Sequence, residues 1–341
     1  MTEQLTAPQP SVSERTGRQL HAATREFARE SMARSWGHVI STFAILTAAI
    51  AVAAFAPWWP VRVVASLLTA LTMVRAFILY HDFMHGAILS RSRAARAVFY
   101  VYGALNLTPP RSWRQSHNFH HANVGRIDGS GVGSFPLMTT TMWRNASRTK
   151  RLEYRIVRHP GTMLLAYATI FFFSVCLLPL LRRPAKHWDS ALSLVAHGAA
   201  ISALWLVGGF DAALFGLFLP MAVSGALGGY LFYAQHDFQG MRILAVAKWD
   251  HYRASLDSSS YLKLSPAMRW FTGNIGFHHV HHLNQLIPFY RLPQAMAGIP
   301  ELRHPVVTTL HPRDVVACFR ANLWDEASGR MVDYRDVTAA A

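Results

Sequence analysis

Acidic residues are scarce in this chain. Its 341 residues carry 18 Asp and Glu against 33 Lys and Arg, a formal net charge of +15. Charge of either sign is thin: 15% of residues are charged and 52% are hydrophobic, where a soluble domain carries roughly 25% charged residues. That deficit points to lipid as part of the solvent. Cysteine is almost missing. Cys176 and Cys318 lie far apart, and Cys176 sits in an apolar run, which argues against both a disulfide framework and a thiolate metal site. The basic excess suits acidic partners, either anionic lipid or an acidic redox protein. Nucleic acid is the poorest fit, because the apolar runs leave little room for a basic recognition module. Residues 1–37 are polar and Arg-rich with no apolar core. That stretch is too long for a signal n-region, so no cleaved signal is expected.

What the chain does have is apolar length. Five runs approach the ~20 residues of a helical span: 39–59, 61–80, 163–181, 191–208 and 212–233. Pro57-Trp58-Trp59-Pro60 joins the first two with interfacial aromatics and no charge. Basic residues favour the cytoplasmic side. The Arg-rich N-terminus is therefore placed there, and the first hairpin returns the chain to that side at His81. The loop 182–187, Arg-Arg-Pro-Ala-Lys-His, also reads as cytoplasmic, and 208–211, Gly-Gly-Phe-Asp, as outside. A spanning third run would put 182–187 on the wrong side. Run 163–181 is accordingly expected to be re-entrant or interfacial, kinked near Pro179. The expected fold is an all-α integral membrane protein with four transmembrane helices in two hairpins. It divides into a cytoplasmic N-terminal segment 1–37, a membrane domain 38–300 with a cytoplasmic helical cap, and a cytoplasmic tail 301–341. A five-span chain with its tail outside is the alternative. It would split the histidines described next across two faces.

Three histidine clusters stand out. His81-Asp82-Phe83-Met84-His85 places imidazoles at i and i+4, on one helical face. His117-Asn118-Phe119-His120-His121 places them at i, i+3 and i+4, and His278-His279-Val280-His281-His282 does the same with one extra. Together they hold nine of 18 histidines. A single pair on a helix is often an ordinary surface feature. Three clusters at or beyond span ends on one expected face are not, since ionisable groups in and beside a bilayer are costly and usually functional. Imidazole suits iron, copper, nickel and zinc. Eight or nine converging rings are too many for one ion, and two ions fit better. His236 closes the fifth run and is expected at the same depth as His81.

The boxes resemble the membrane fatty acid desaturase family: His-x3-His, His-x2-His-His and His-x2-His-His. The stretch Trp270-Phe271-Thr272-Gly273-Asn274-Ile275-Gly276-Phe277 leading into the third box, with Ile287-Pro288-Phe289-Tyr290-Arg291-Leu292-Pro293 after it, is similar to the acyl-lipid branch in particular. The resemblance covers most of residues 40–300. It implies two iron ions held by His81, His85, His117, His120, His121, His278, His281 and His282, with His236 completing the set. His279 is then left for an outer role, although His279 with His282 also has helical spacing. Ligand imidazoles usually donate the other ring N–H to a carboxylate or carbonyl. Asp82, Asp237 and Asp250 are plausible acceptors, each equally readable as an ordinary solvated or capping carboxylate.

The activity implied is insertion of a cis double bond into an acyl chain, with O2 as co-substrate and electrons from an external donor. An unactivated C–H bond is out of reach of side-chain acids and bases, and the protein would supply position and dryness. Trp113, Trp143, Phe271 and Phe277 are candidates to line an apolar tunnel. His159-Pro160-Gly161-Thr162 only grazes the His-Pro-Gly-Gly of a fused cytochrome b5 and reads as a turn. The donor is thus expected to be a separate ferredoxin or cytochrome b5. Both are typically acidic, which suits Arg111, Arg114, Arg126, Arg144, Arg148, Lys150 and Arg151, although positive-inside charge explains these as well. The acyl group could ride on phospholipid, CoA or carrier protein. The rival readings are a di-iron hydroxylase or carotenoid ketolase, of which His-Asp-Phe-Met-His-Gly is reminiscent, and a membrane metal transporter. A transporter places its ligands near the bilayer midplane, not at span ends.

Overall fold

The computed structural model describes residues 15–338 apart from Gly129 and Ala245. The beginning of segment 1–37 and the last residues of tail 301–341 lie outside the described residues. After a short helix α1 (Gly17–Ala23), the first apolar runs form α2 (Met32–Phe55) and α3 (Trp59–His85). Pro60 falls in the first turn of α3, where its missing N–H leaves no hydrogen bond unmade. The exposed Trp58 and Trp59 mark the turn between them.

The chain continues with α4 (Arg93–Leu105), α5 (Pro110–Ala122), α6 (Thr140–Asn145) and α7 (Arg148–Val157). Run 163–181 is built from α8 (Pro160–Leu164), an eleven-residue π-helix Tyr167–Leu177 and α9 (Leu178–Arg182). Its apolar part, Tyr167–Arg182, is shorter than a span. Pro179 stands in the first turn of α9, where the π-helix gives way to α-helix. This segment lies against the later apolar helix at two glycines. A Cβ on Gly225 would meet the Tyr167 backbone at 3.0 Å, and one on Gly229 would meet Ala166 at 3.2 Å.

Runs four and five form one helical stretch, Trp188–His236: α10 (Trp188–Ala213), a π-turn Leu214–Phe218 and α11 (Leu219–His236). Its 49 residues would reach about 74 Å if straight, more than twice a bilayer's ~30 Å hydrocarbon core. It is not straight. Gly209 breaks it with φ 73° and ψ −169°, a region essentially confined to glycine. Beyond the break, Gly216 lies against Leu204, whose Cδ1 is 3.4 Å from where a Cβ would stand, so the stretch folds back on itself.

Met32–Phe55, Trp59–His85 and Trp188–His236 are long and apolar enough to cross a membrane. Their outward faces carry Leu206, Val207, Val195, Val64 and Ile40, all exposed. An apolar surface this continuous needs lipid against it. By contrast, α3 is mostly covered and forms the axis of the core.

After the apolar helices come α12 (His251–Asp257), α13 (Pro266–Phe271), α14 (His278–Leu283), α15 (Leu292–Gly298), α16 (Pro312–Arg320) and α17 (Tyr334–Thr338). Two small ladders qualify the all-α expectation. Strand β1 (Tyr261–Lys263) pairs in parallel with β2 (Val307–Thr309), and β3 (Leu323–Asp325) pairs antiparallel with β4 (Arg330–Val332). Three-residue strands are too short to leave a readable alternation of polar and apolar residues.

Candidate metal centre

Each histidine box occupies the end of a helix. His81 and His85 fill the last turn of α3, which Gly86 stops in the left-handed conformation at φ 81°. His117, His120 and His121 lie in the C-terminal half of α5, whose N-terminal turn contains Pro110. His236 is the last residue of α11, and α14 consists of little besides the third box. All nine rings are buried.

The rings meet through their Nε2 atoms. In one group His81 and His85 are 3.2 Å apart, His85 and His117 3.1 Å, His117 and His121 3.1 Å, and His121 and His281 3.2 Å. In the second, His236 Nε2 lies 3.1 Å from His120, 2.8 Å from His278 and 3.1 Å from His282, and His278 and His282 are 3.2 Å apart. A ring nitrogen has one hydrogen or one lone pair. His236 Nε2 therefore cannot satisfy three nitrogens at once by hydrogen bonding. Cations drawing the lone pairs inward would resolve the conflict. Imidazole nitrogens that share one ion on bonds of roughly 2.1 Å must crowd together in this way. The donor set fits imidazole-binding metals in two neighbouring positions. Burial first, and repulsion from the neighbouring rings second, hold His117, His120, His121, His278, His281 and His282 well below the ordinary imidazole pKa. They are neutral, which is the form that ligates.

His279 takes no part in this convergence. Its Nε2 faces the Leu302 carbonyl at 3.1 Å. Of the three carboxylates considered as ring partners, only Asp82 touches a box: its Oδ1 is 3.2 Å from His81 Nδ1, and its Oδ2 accepts from the Phe289 backbone at 2.7 Å. Asp237 is instead ion-paired with the buried Arg158 at 2.7 Å. Asp250 caps α12, accepting from Arg253 N. His236 Nδ1 is oriented by the Ser258 carbonyl at 3.2 Å.

The aromatic expectations divide in the same way. Trp113 stacks on His117 at 4.5 Å and 16° and packs with Phe77 and Tyr80. Trp143 belongs to a different core with Tyr154 and Tyr334. Phe271 meets Trp270, and Phe277 meets Tyr261. The spacing argument missed Phe232, whose ring meets both His120 and His236 edge-on at 5.2 Å. It sits one helical turn before His236, and that spacing was the available signal. Asp189 was also missed; it holds the start of α5. So was Arg75, buried in α3, which donates to Thr42 Oγ1 at 3.0 Å and to the Trp270 carbonyl and stacks on the Trp270 ring at 4.1 Å. It ties the approach to the third box onto α2 and α3.

Several arginines considered for docking are committed elsewhere. Arg151 donates to the Trp143 and Arg144 carbonyls, and Arg126 pairs with Asp128. His159 caps α8 by accepting from Gly161 N, a turn as expected.

Comparison with known proteins agrees with this geometry. A family model described as fatty acid desaturase matches residues 57–313. A fatty acid desaturase of Bacillus subtilis (strain 168) is 31% identical over 266 residues, 78% of this chain and 75% of the relative. A Delta(12) fatty acid dehydrogenase of Crepis alpina is 25% identical, covering 75% of this chain and 70% of its own. An sn-1 oleoyl-lipid 12-desaturase of Picosynechococcus sp. is 21% identical, covering 79% and 77%. The family match runs through every one of the nine converging rings, and the chain belongs to the fatty acid desaturase family.

Proposed function

We propose that this protein is a four-span membrane desaturase that uses O2 and two irons, at the cytoplasmic face, to place a cis double bond in a lipid-borne acyl chain. The observation that carries the reading is the meeting of nine Nε2 atoms in two adjoining groups. His81, His85, His117, His121 and His281 would hold one iron, and His120, His236, His278 and His282 the other. Bound there, the irons supply with O2 and two donor electrons an oxidant able to take hydrogen from an unactivated methylene.

The chain's own residues position and seal. Asp82 fixes the His81 ring and, through Phe289, the segment after the third box. Trp113 and Phe232 flank the two ring groups with apolar faces, which keeps water from the reacting carbon. The reaction balances as –CH2–CH2– with O2, two electrons and two protons giving –CH=CH– and two waters. The oleoyl-lipid relative favours a chain esterified in a membrane lipid over one carried on CoA.

The test is expression in a host lacking the activity, with gas chromatography of its fatty acid methyl esters. A new unsaturated species, absent with His120→Ala, is expected. Hydroxylated or keto products in its place would transfer the assignment to an oxygenase on the same site.

A further inference from the structure

A cavity of about 430 Å³ opens beside the rings, between α1, α5, α12 and the segment after α14. Its walls interleave polar and aromatic side chains, among them His21, Asn118, Trp249 and Gln285, with the apolar Leu283 and Leu286. Of the nine converging histidines only His121 and His282 reach it. These two belong to different ring groups, and they stack face to face at 4.2 Å and 15°. Whatever enters the cavity therefore meets one ring from each group, already in contact with the other.

The surroundings are basic. Residues 15–30 hold Arg18, Arg25 and Arg29, besides an Arg15 paired with Glu301, against Glu26 and Glu30, and Glu30 is turned inward onto Leu89 N. Arg25 is exposed and acts on His21, whose pKa is lowered first by burial and then by that guanidinium. Exposed Lys248 precedes Trp249, and Arg126 lies over the Trp249 ring at 5.3 Å. The nearby carboxylates are engaged: Asp128 with Arg126, Asp250 as the cap of α12, Asp257 with Arg253. On the other basic face, α7, Lys150 is paired with Glu153, and Arg151 and Arg155 lie against Trp143.

Resting on the two-iron reading above, we infer that this cavity is the port for an acidic one-electron carrier protein, and that the stacked His121–His282 pair delivers its electrons to both ring groups. Each docking event oxidises the carrier's prosthetic group by one electron and reduces the metal pair by one. No bond to a protein atom forms or breaks, and two events serve one double bond. Complementary charge at the rim steers the encounter.

The test uses the full chain in lipid nanodiscs, with a [2Fe–2S] ferredoxin and cytochrome b5 as probes. Carrier binding is measured on metal-free protein, and the carrier-driven rate of metal reduction is divided by the dithionite-driven rate on loaded protein. The double variant Arg25→Glu/Lys248→Glu is expected to weaken binding by about ten-fold, with the difference shrinking as salt rises. Gln285→Trp, which fills the cavity, is expected to lower the rate ratio by a similar factor while the metal content stays at two per chain. Arg148→Glu/Lys150→Glu on α7 serves as the comparison. The inference is overturned if the α7 variant weakens binding and the rim variant does not, or if neither probe binds the wild type. A wild-type protein that holds no metal pair sinks the two-iron reading separately, and the binding comparison still decides the port.

Discussion

Asp189 caps Ser112 across 77 residues of chain. The carboxylate stands in the first turn of α10 and accepts from the Ser112 backbone at 2.8 Å, the Arg111 backbone at 3.0 Å and the Ser112 hydroxyl at 2.7 Å. Helix α5 has Pro109 at its N-cap and no side-chain cap of its own, so its first free N–H groups depend on this distant acid. The negative charge also suits the positive end of the helix. Since α5 ends in the second box, Asp189→Ala is expected to destabilise the protein by about 1–2 kcal/mol and to loosen metal retention. Asp189→Asn, which can still accept, should cost less. Thermal unfolding and metal content per chain measure both effects; equal melting temperatures for wild type and Asp189→Ala would show that α5 does not depend on this cap.

Asp82 serves the first and third boxes together. One oxygen meets His81 and the other accepts from Phe289 N. An asparagine offers only one acceptor oxygen, so Asp82→Asn must give up one of the two bonds. Metal affinity is expected to fall about ten- to hundred-fold, read by competition with a chelator of known strength. Asp82→Ala should fall further. Unchanged competition curves would reduce Asp82 to a bystander.

The extra histidine of the third box gives a direct test of register. His279 faces the Leu302 carbonyl and not the other rings, so His279→Gln is expected to keep two metals per chain. Losing the bond to that buried carbonyl costs stability of about 1–3 kcal/mol. His281→Gln is expected to drop the metal content instead. A loss of metal in His279→Gln equal to that in His281→Gln would mean the box ligates in the other register.

These cases show what was legible in the sequence. The sharing of a helical face within each box was, because helical spacing fixes which imidazoles point together, whereas His236 entered through the family resemblance, its place at the end of an apolar run giving only its depth. The break at Gly209 was legible too, as a polar Gly-Gly-Phe-Asp turn. The division of the rings into groups of five and four was not, since it depends on how four helix ends meet. Asp189 is adjacent to α5 only in space, and Asp237 meets Arg158 because that buried guanidinium also bonds the Tyr233 hydroxyl of α11 and the Ala321 carbonyl. Asp82 does meet the histidine beside it, but Asp237, next to His236, faces Arg158 instead, so adjacency in sequence alone does not settle which partner a carboxylate meets once folded.

The strap that carries His21 to the cavity is held at one end by Arg15, whose guanidinium makes two bonds to Glu301, at 2.8 and 2.9 Å. The hydrogen bonds from Arg15 hold the Glu301 carboxyl down at about 2, from an ordinary 4.5. The folded value lies below the unfolded one, so the contact stabilises fully above pH 4.5 and is lost as pH falls towards 2. At neutral pH, Glu301→Gln removes the same charge pairing. Because Arg15 is partly solvent-exposed, the global effect is expected to be small, while amide exchange in residues 17–23 should quicken. That local change should reproduce what acidification from pH 4.5 downward does to the wild type, once rates are corrected for intrinsic exchange. Exchange that is unaltered by the substitution would show that α1 is held by its packing on α12 and not by the Arg15–Glu301 pair.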